Sequence, residues 1–182
     1  MKKQGLKPLS GFRDELPEER IPMGRMLETI ARVFESFGFP PLDTPAIERS
    51  EVLLGKYGDD SDKLLYRFED NGGRDVALRY DLTVPLARVV AANPGLPMPF
   101  RRYQIAKVWR AERPGRGRFR EFMQCDVDII GVKSLVADAE CLQICAAVLE
   151  ALGLRGPGEG DAQYRVRVNN RRLLNEILTE FG

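Results

Sequence analysis

A chain of 182 residues with 43% hydrophobic and 30% charged side chains can bury a core without metal or disulfide staples, and its mix is that of a globular domain rather than a disordered or fibrous one. The net charge of +1 excludes a chain-wide basic footprint for nucleic acid, so any such contact must come from local patches. Histidine is absent, which removes histidine general-base catalysis and histidine-ligated metals, and no apolar run approaches the ~20 residues of a membrane span.

The opening residues MKKQGLKPLSG lack the apolar core of a signal peptide. The three cysteines make no CxxC pair and read as buried free thiols of a reducing compartment, so the expected location is cytoplasmic and no metal site is expected. Residues 9–17, LSGFRDELP, form a turn-rich lead into a helix over Glu18 to Phe37. There Met23, Met26, Leu27, Ile30, Val33, Phe34 and Phe37 recur at helical spacing, and Gly38 is placed to end it. The stripe is a core or subunit face. Pro40, Pro41 and Pro45 then rule out a helix and demote any strand to an edge, whether packed on a partner or left as a surface loop.

KYGDDSDKL (56–64) is a polar connector. Leu64 to Phe68 and Asp75 to Arg79 flank an Asn71-Gly72-Gly73 turn and predict a hairpin. A helix follows over Leu82 to Ala92, with Pro85 in its first turn. Asp81 and Thr83 therefore sit at a strand-to-helix junction, where Asp caps helices as readily as it binds ligands. NPGLPMPF (93–100) is a rigid turn.

From Arg101 to Gly131 the pattern is strand, basic loop, strand. Arg101 to Arg120 holds eight Lys or Arg and a single acid, Glu112. In the second strand Met123, Cys125, Val127 and Ile129 alternate with Arg120, Gln124, Asp126 and Asp128, and Phe122 is the one aromatic on the polar side. A face with a cation, a ring, an amide and carboxylates suits an ATP-like anion beside an ammonium; a solvated charged hairpin is the plainer reading. Ser134 to Leu152 predicts a helix with an apolar face of Leu135, Ala139, Leu142, Ala146 and Leu149. RGPGEGDA (155–162) is a loop, Gln163 to Val168 alternates as a strand, and Asn169 to Phe181 begins another helix. Adjacent hairpins favour an antiparallel sheet flanked by helices, an α+β fold, over a parallel Rossmann sheet. With no GxxxxGK[ST] or GxGxxG, phosphate is not held by a P-loop.

Several of these segments, taken in order, resemble the first part of a class II aminoacyl-tRNA synthetase catalytic core, specifically the histidyl-tRNA synthetase family. LSGFRDELP resembles that family's opening segment, and the helix leading into FGFPPLDTPAIE is similar to motif 1, with Pro45 at the motif's proline. LRYDLT resembles the segment binding the amino acid's ammonium, VWRAERPGRGRFREFMQCDVDIIG motif 2, and RVNNRRLLNEIL a later strand and helix. The resemblance implies that Arg110 is the catalytic arginine, clamping the ATP α-phosphate and the substrate carboxylate. By the same resemblance Glu112, Arg118 and Phe122 complete an ATP site, and Asp81, Thr83, Arg110, Gln124 and Asp128 hold histidine. It further implies Mg2+ carried with ATP, tRNA(His) as acyl acceptor, and a homodimer built through the motif 1 region. On this reading residues 1–182 are an N-terminal portion of the catalytic domain, inactive alone, with the imidazole-reading segment, motif 3 and the anticodon-binding domain outside it. The alternative is a synthetase-like regulatory subunit of ATP phosphoribosyltransferase, which binds histidine without catalysis and has no need of Arg110, Glu112, Arg118 and Phe122 together. A third reading is an RNA-binding module using Arg113 to Arg120.

Overall fold

The computed structural model describes residues 6–54, 64–158, 161, 163–171, 175–176 and 179–180. Most of the 56–64 connector and part of the 155–162 loop lie outside the described residues. Helix α1 spans Pro17–Ser36, with Pro17 at its start and Glu18 and Glu19 facing the positive end of the helix dipole. It ends in a Schellman arrangement. Gly38 N–H donates to Glu35 O (2.9 Å) and Phe39 N–H to Phe34 O (3.2 Å), with Gly38 at φ +77° in the left-handed region that glycine tolerates. Phe39 then folds back into the cluster that holds Phe34 and Ile30.

The proline-rich segment crosses β4 (Phe100–Trp109) through a single parallel bridge between Pro41 and Tyr103, then becomes the short edge strand β1 (Ile47–Arg49). After α2 (Ser50–Leu53), strands β2 (Arg67–Glu69) and β3 (Asp75–Leu78) form the expected hairpin, each trimmed at its ends. Asp70 closes the turn by accepting N–H bonds from Gly72 (2.8 Å) and Arg74 (3.0 Å). Helix α3 is Thr83–Ala92. Strand β5 (Glu121–Ile130) pairs with β4 over ten antiparallel positions, from Phe100↔Ile130 to Trp109↔Glu121. Helix α4 (Leu135–Ala151) begins at Ser134, whose hydroxyl accepts the Val136 N–H.

The strands make two antiparallel sheets rather than one, β1-β3-β2 and β4-β5. They meet where Trp109 N–H donates to Arg79 O (3.0 Å) and where buried Arg79 donates to Lys107 O (3.0 Å) and to Thr44 O. One core cluster (Leu53, Leu65, Ala77, Tyr80, Val84) lies under the small sheet. The other joins α1, α4 and the odd face of β5 through Ile30, Phe34, Phe39, Ile144, Cys125, Val127 and Ile129.

Three expectations need correction. The core face of α4 is Ile144, Val148 and Leu152; Leu135 and Leu142 are exposed, because a helix apolar on most sides carries no directional signal. Residues 163–168 form no strand among the described residues. Alternation there meets no neighbouring strand to pair with, and an unpaired strand is not stable. The cysteines are free but not buried: Cys125 and Cys141 are half-buried and Cys145 is exposed. The described residues of the last segment, Arg171, Asn175, Glu176, Thr179 and Glu180, are helical as expected.

Candidate active site

Side chains alternate across a strand, so the ten-residue register of β4 and β5 puts Phe122, Gln124, Asp126 and Asp128 on one face together with Val108, Ala106, Gln104 and Arg102. Phe122 and Asp128 stand about 20 Å apart along that strand at ~3.3 Å per residue. The opposite face packs on α1 and α4. The polar face is thus a platform backed by the core, and its two ends are completed by different neighbours.

At the loop end, Arg110 N–H donates to Arg120 O (2.9 Å) as the last link before the hairpin opens. The Arg110 guanidinium lies 5.1 Å over the Phe122 ring, a cation–π contact, and its Nε donates to Tyr80 O (3.1 Å). Beyond it the loop folds on itself by paired backbone bonds between Gly115 and Arg118, and Arg118 forms an ion pair with Glu112 (3.3 Å). Arg110, Glu112, Gly117, Arg118, Phe119 and Phe122 line one cleft of about 300 Å³. All four residues expected to handle a nucleotide therefore converge. Arg113 and Arg116 project into solvent.

The N-terminal segment straps this loop. Arg120 N–H donates to Gly11 O (2.8 Å), and the Arg120 side chain reaches Glu112 O (2.9 Å) and Ser10 O (3.2 Å). Arg13 stacks on Phe119 at 4.4 Å. Gly11 adopts φ +86°, and a Cβ there would stand 2.8 Å from Arg120 Cγ and Cδ.

Beside this end, Arg110's bond to Tyr80 O ties the strand-to-helix junction to the residue that follows β4. Asp81 does cap α3, its Oδ1 accepting the Val84 N–H (3.0 Å), while Thr83 is exposed. Burial raises the Asp81 carboxyl above its usual range; the Val84 N–H opposes that shift, nearby Asp126 adds to it, and Arg110 opposes it. Gln124 spends its amide N–H groups on Asp126 (3.0 and 2.9 Å), and its Oε1 is buried with no hydrogen-bond partner.

At the far end Asp128 forms an ion pair with Arg102 (2.7 Å). Burial raises the Asp128 carboxyl and lowers Arg102, opposite to what an ion pair alone would do to each. Desolvation outweighs the mutual attraction on both members, and the arginine stays charged. Sequence reading placed Asp126 on the polar face without a role and passed over Arg102 altogether. Both follow from the register, which sets Arg102 opposite Asp128 and Gln104 opposite Asp126.

Among the described residues no group of three or more Cys, Asp or Glu side chains is placed to hold a metal ion, and no helix is long and apolar enough to cross a membrane.

This geometry has counterparts. The sequence profile of the family described as histidyl-tRNA synthetase matches residues 11–182. The chain is 55% identical over 176 residues to a histidine–tRNA ligase of Aeropyrum pernix, covering 96% of this chain and 39% of that protein. A crystal structure of histidyl-tRNA synthetase from Nostoc sp. PCC 7120 superposes with a TM-score of 0.70 at 40% identity, over 82% of this chain and 35% of that one. A Bacillus halodurans structure titled as an ATP phosphoribosyltransferase regulatory subunit/histidyl-tRNA synthetase superposes at 0.72 with 28% identity, over 82% and 38%. The chain thus spans about two fifths of the length of the curated relatives it matches, and within that span it belongs to the histidyl-tRNA synthetase family.

Proposed function

We propose that these residues are part of a histidine–tRNA ligase that activates histidine with ATP and transfers it to tRNA(His). The observation that carries this reading is Arg110, stacked on Phe122 and bonded to Tyr80 O, which ties the loop cleft to the residue preceding Asp81. Adenine stacks on Phe122, with Glu112 and Arg118 around the base and phosphates. The histidine ammonium sits among Asp81, Thr83, Gln124 and Asp128, where charge-assisted hydrogen bonds to carboxylates are strong. Its carboxylate is then left facing the α-phosphate. A carboxylate oxygen attacks phosphorus, the bond to the β-phosphate oxygen breaks, and pyrophosphate leaves. Next the tRNA 3′-terminal ribose hydroxyl attacks the acyl carbon, loses its proton, and AMP departs. Arg110 holds both reacting oxygens in a planar fork and stabilises the charge developing on them, so positioning and electrostatics carry the acceleration. Mg2+ would arrive on the ATP phosphates and neutralise the departing pyrophosphate; the donor set here, cations and a ring, fits the nucleotide rather than the metal.

The motif 1 region supports a homodimer. Helix α1 exposes Ile21 and Met26, and beside it runs an open trough whose lining mixes apolar side chains such as Leu27, Pro41 and Ile105 with Glu28, Asp43 and Gln104. The three free cysteines fit a cytoplasmic protein. In our reading residues 1–182 supply the ATP and ammonium half of a site whose imidazole-reading half lies in another segment, and alone they are inactive. The regulatory-subunit reading has the Bacillus halodurans relative in its favour. Against it stands the intact cleft of Arg110, Glu112, Arg118 and Phe122, which a histidine sensor does not need.

ATP–pyrophosphate exchange by the intact gene product, assayed with each of the twenty amino acids, tests the proposal. Exchange dependent on histidine alone is expected; histidine binding with no exchange would replace this reading with the regulatory one.

A further inference from the structure

We propose that Arg102 is a positioning residue for the ammonium pocket, clamping the Asp81–Thr83 junction and the Asp128 end of β5 into one fixed geometry. The inference rests on the proposed function for the identity of the ligand, but the clamp itself is a matter of structure.

The two halves of that pocket come from separate parts of the chain. Asp81 and Thr83 flank Leu82 at the start of α3; Gln124, Asp126 and Asp128 are on β5. Arg102 stands between them on β4 with no solvent exposure. Its Nη2 donates to Leu82 O (2.9 Å), the carbonyl between the two junction residues, and the same nitrogen lies 2.7 Å from Asp128 Oδ2. One guanidinium therefore ties the junction backbone to the strand carboxylate.

Two features set this apart from a purely structural ion pair. Arg102 Nε and Nη1 have no hydrogen-bond partner although they are buried, and the Asp128 contact is an ion pair without hydrogen-bond alignment, made by an Oδ2 that is itself buried. Burying a guanidinium with N–H groups unused is costly, and an apolar side chain of similar volume would pack as well without that cost. The arrangement does have electrostatic value. Asp81, Asp126 and Asp128 all lie within electrostatic reach of Arg102, so it is the counter-ion of a three-carboxylate group and opposes the rise that burial imposes on Asp128. A pocket for an ammonium needs those carboxylates ionised and held still before the ligand arrives; Arg102 does both without occupying the ligand's place.

The test uses the intact gene product carrying Arg102→Met and Arg102→Lys, each checked by thermal melting. In histidine-dependent pyrophosphate exchange, Arg102→Met should raise the histidine KM at least tenfold while the ATP KM stays within about twofold. Arg102→Lys restores the charge but cannot span Leu82 O and Asp128 with a planar fork, so its histidine KM should fall between those of wild type and Arg102→Met. Amide hydrogen exchange at Thr83 and Val84 should be faster in both variants, by tenfold or more in Arg102→Met. If Arg102→Met does not fold, Arg102→Lys carries the test. A folded variant in which histidine and ATP KM move together, or neither moves, overturns the positioning role. Should the wild type show no histidine-dependent exchange, the proposed function fails, and the amide exchange alone decides the clamp: unchanged protection at Thr83 and Val84 rejects it, and faster exchange keeps it.

Discussion

Replacing Phe122 by alanine removes the one aromatic ring on the polar face of β5. The ring is half-buried and carries the Arg110 guanidinium at 5.1 Å on its face. A base stacked on an aromatic side chain contributes about 1–3 kcal/mol, which at room temperature is roughly 5- to 150-fold in affinity. The cation–π contact that steadies Arg110 adds about 0.5–1 kcal/mol. ATP KM in pyrophosphate exchange should therefore rise by about one to three orders of magnitude. Histidine KM should rise less than about threefold, because the ammonium contacts lie further along the strand. Truncating a half-buried ring costs about 1–2 kcal/mol of stability, so the variant remains folded. Phe122→Leu, which keeps the apolar bulk but loses the π face, should sit between the two. Equal losses for ATP and histidine, or a leucine variant indistinguishable from wild type, would refute adenine stacking at this position.

Arg110→Ala should lower exchange by at least about 10²–10³-fold, the scale for losing one charge-stabilising donor, with little change in melting temperature; a large drop in melting temperature would mark a structural role instead. Asp81→Asn keeps an oxygen to accept the Val84 N–H but removes a half-buried charge. Burial raises the Asp81 pKa in the folded state above the ordinary carboxylate range, so the folded protein binds that proton more readily than the unfolded chain, and ionisation costs stability as pH rises through the folded value. The variant should melt at or above wild type at neutral pH, with the gap closing as pH falls towards the unfolded value, while its histidine KM rises; a lower melting temperature at neutral pH would contradict this. Since burial raises both Asp81 and Asp128, histidine binding should weaken on acidification at a higher pH than ordinary carboxylates would give, which a titration of histidine KM against pH checks. Gly11→Ala forces a Cβ to within 2.8 Å of Arg120 at φ +86° and should cost about 1–3 kcal/mol while raising ATP KM through the loosened loop; unchanged melting and kinetics would show that the strap is dispensable.

What the sequence made legible follows its strongest local signals. Period-two alternation from Phe122 to Ile130 placed the polar platform correctly, and the Gly38 stop and the glycine-rich turn after Asp70 placed two element ends. The prolines at 40, 41 and 45 fit the edge position of β1, but they gave no sign of the short helix α2 (Ser50–Leu53) that follows in the same segment. Arg102 stayed hidden because its role depends on cross-strand register, which the eleven-residue loop between β4 and β5 leaves undetermined in the sequence alone. The inward face of α4 is not legible in the sequence because Leu135 and Leu142 are as apolar as Ile144 and Val148, and only packing in the fold separates them. Residues 163–168 show the converse limit: alternation states which face would be buried, not whether a partner strand exists.

The central claim is that one platform, running from the loop cleft to Asp128, holds the two halves of an aminoacyl-adenylate. The most direct measurement is a crystal structure of the intact gene product with a non-hydrolysable histidyl-adenylate analogue. The account predicts adenine against Phe122, the phosphate mimic in the fork of Arg110, and the ammonium within hydrogen-bond distance of Asp81, Gln124 or Asp128. An analogue bound elsewhere, or bound here with its ammonium remote from all three, would contradict it.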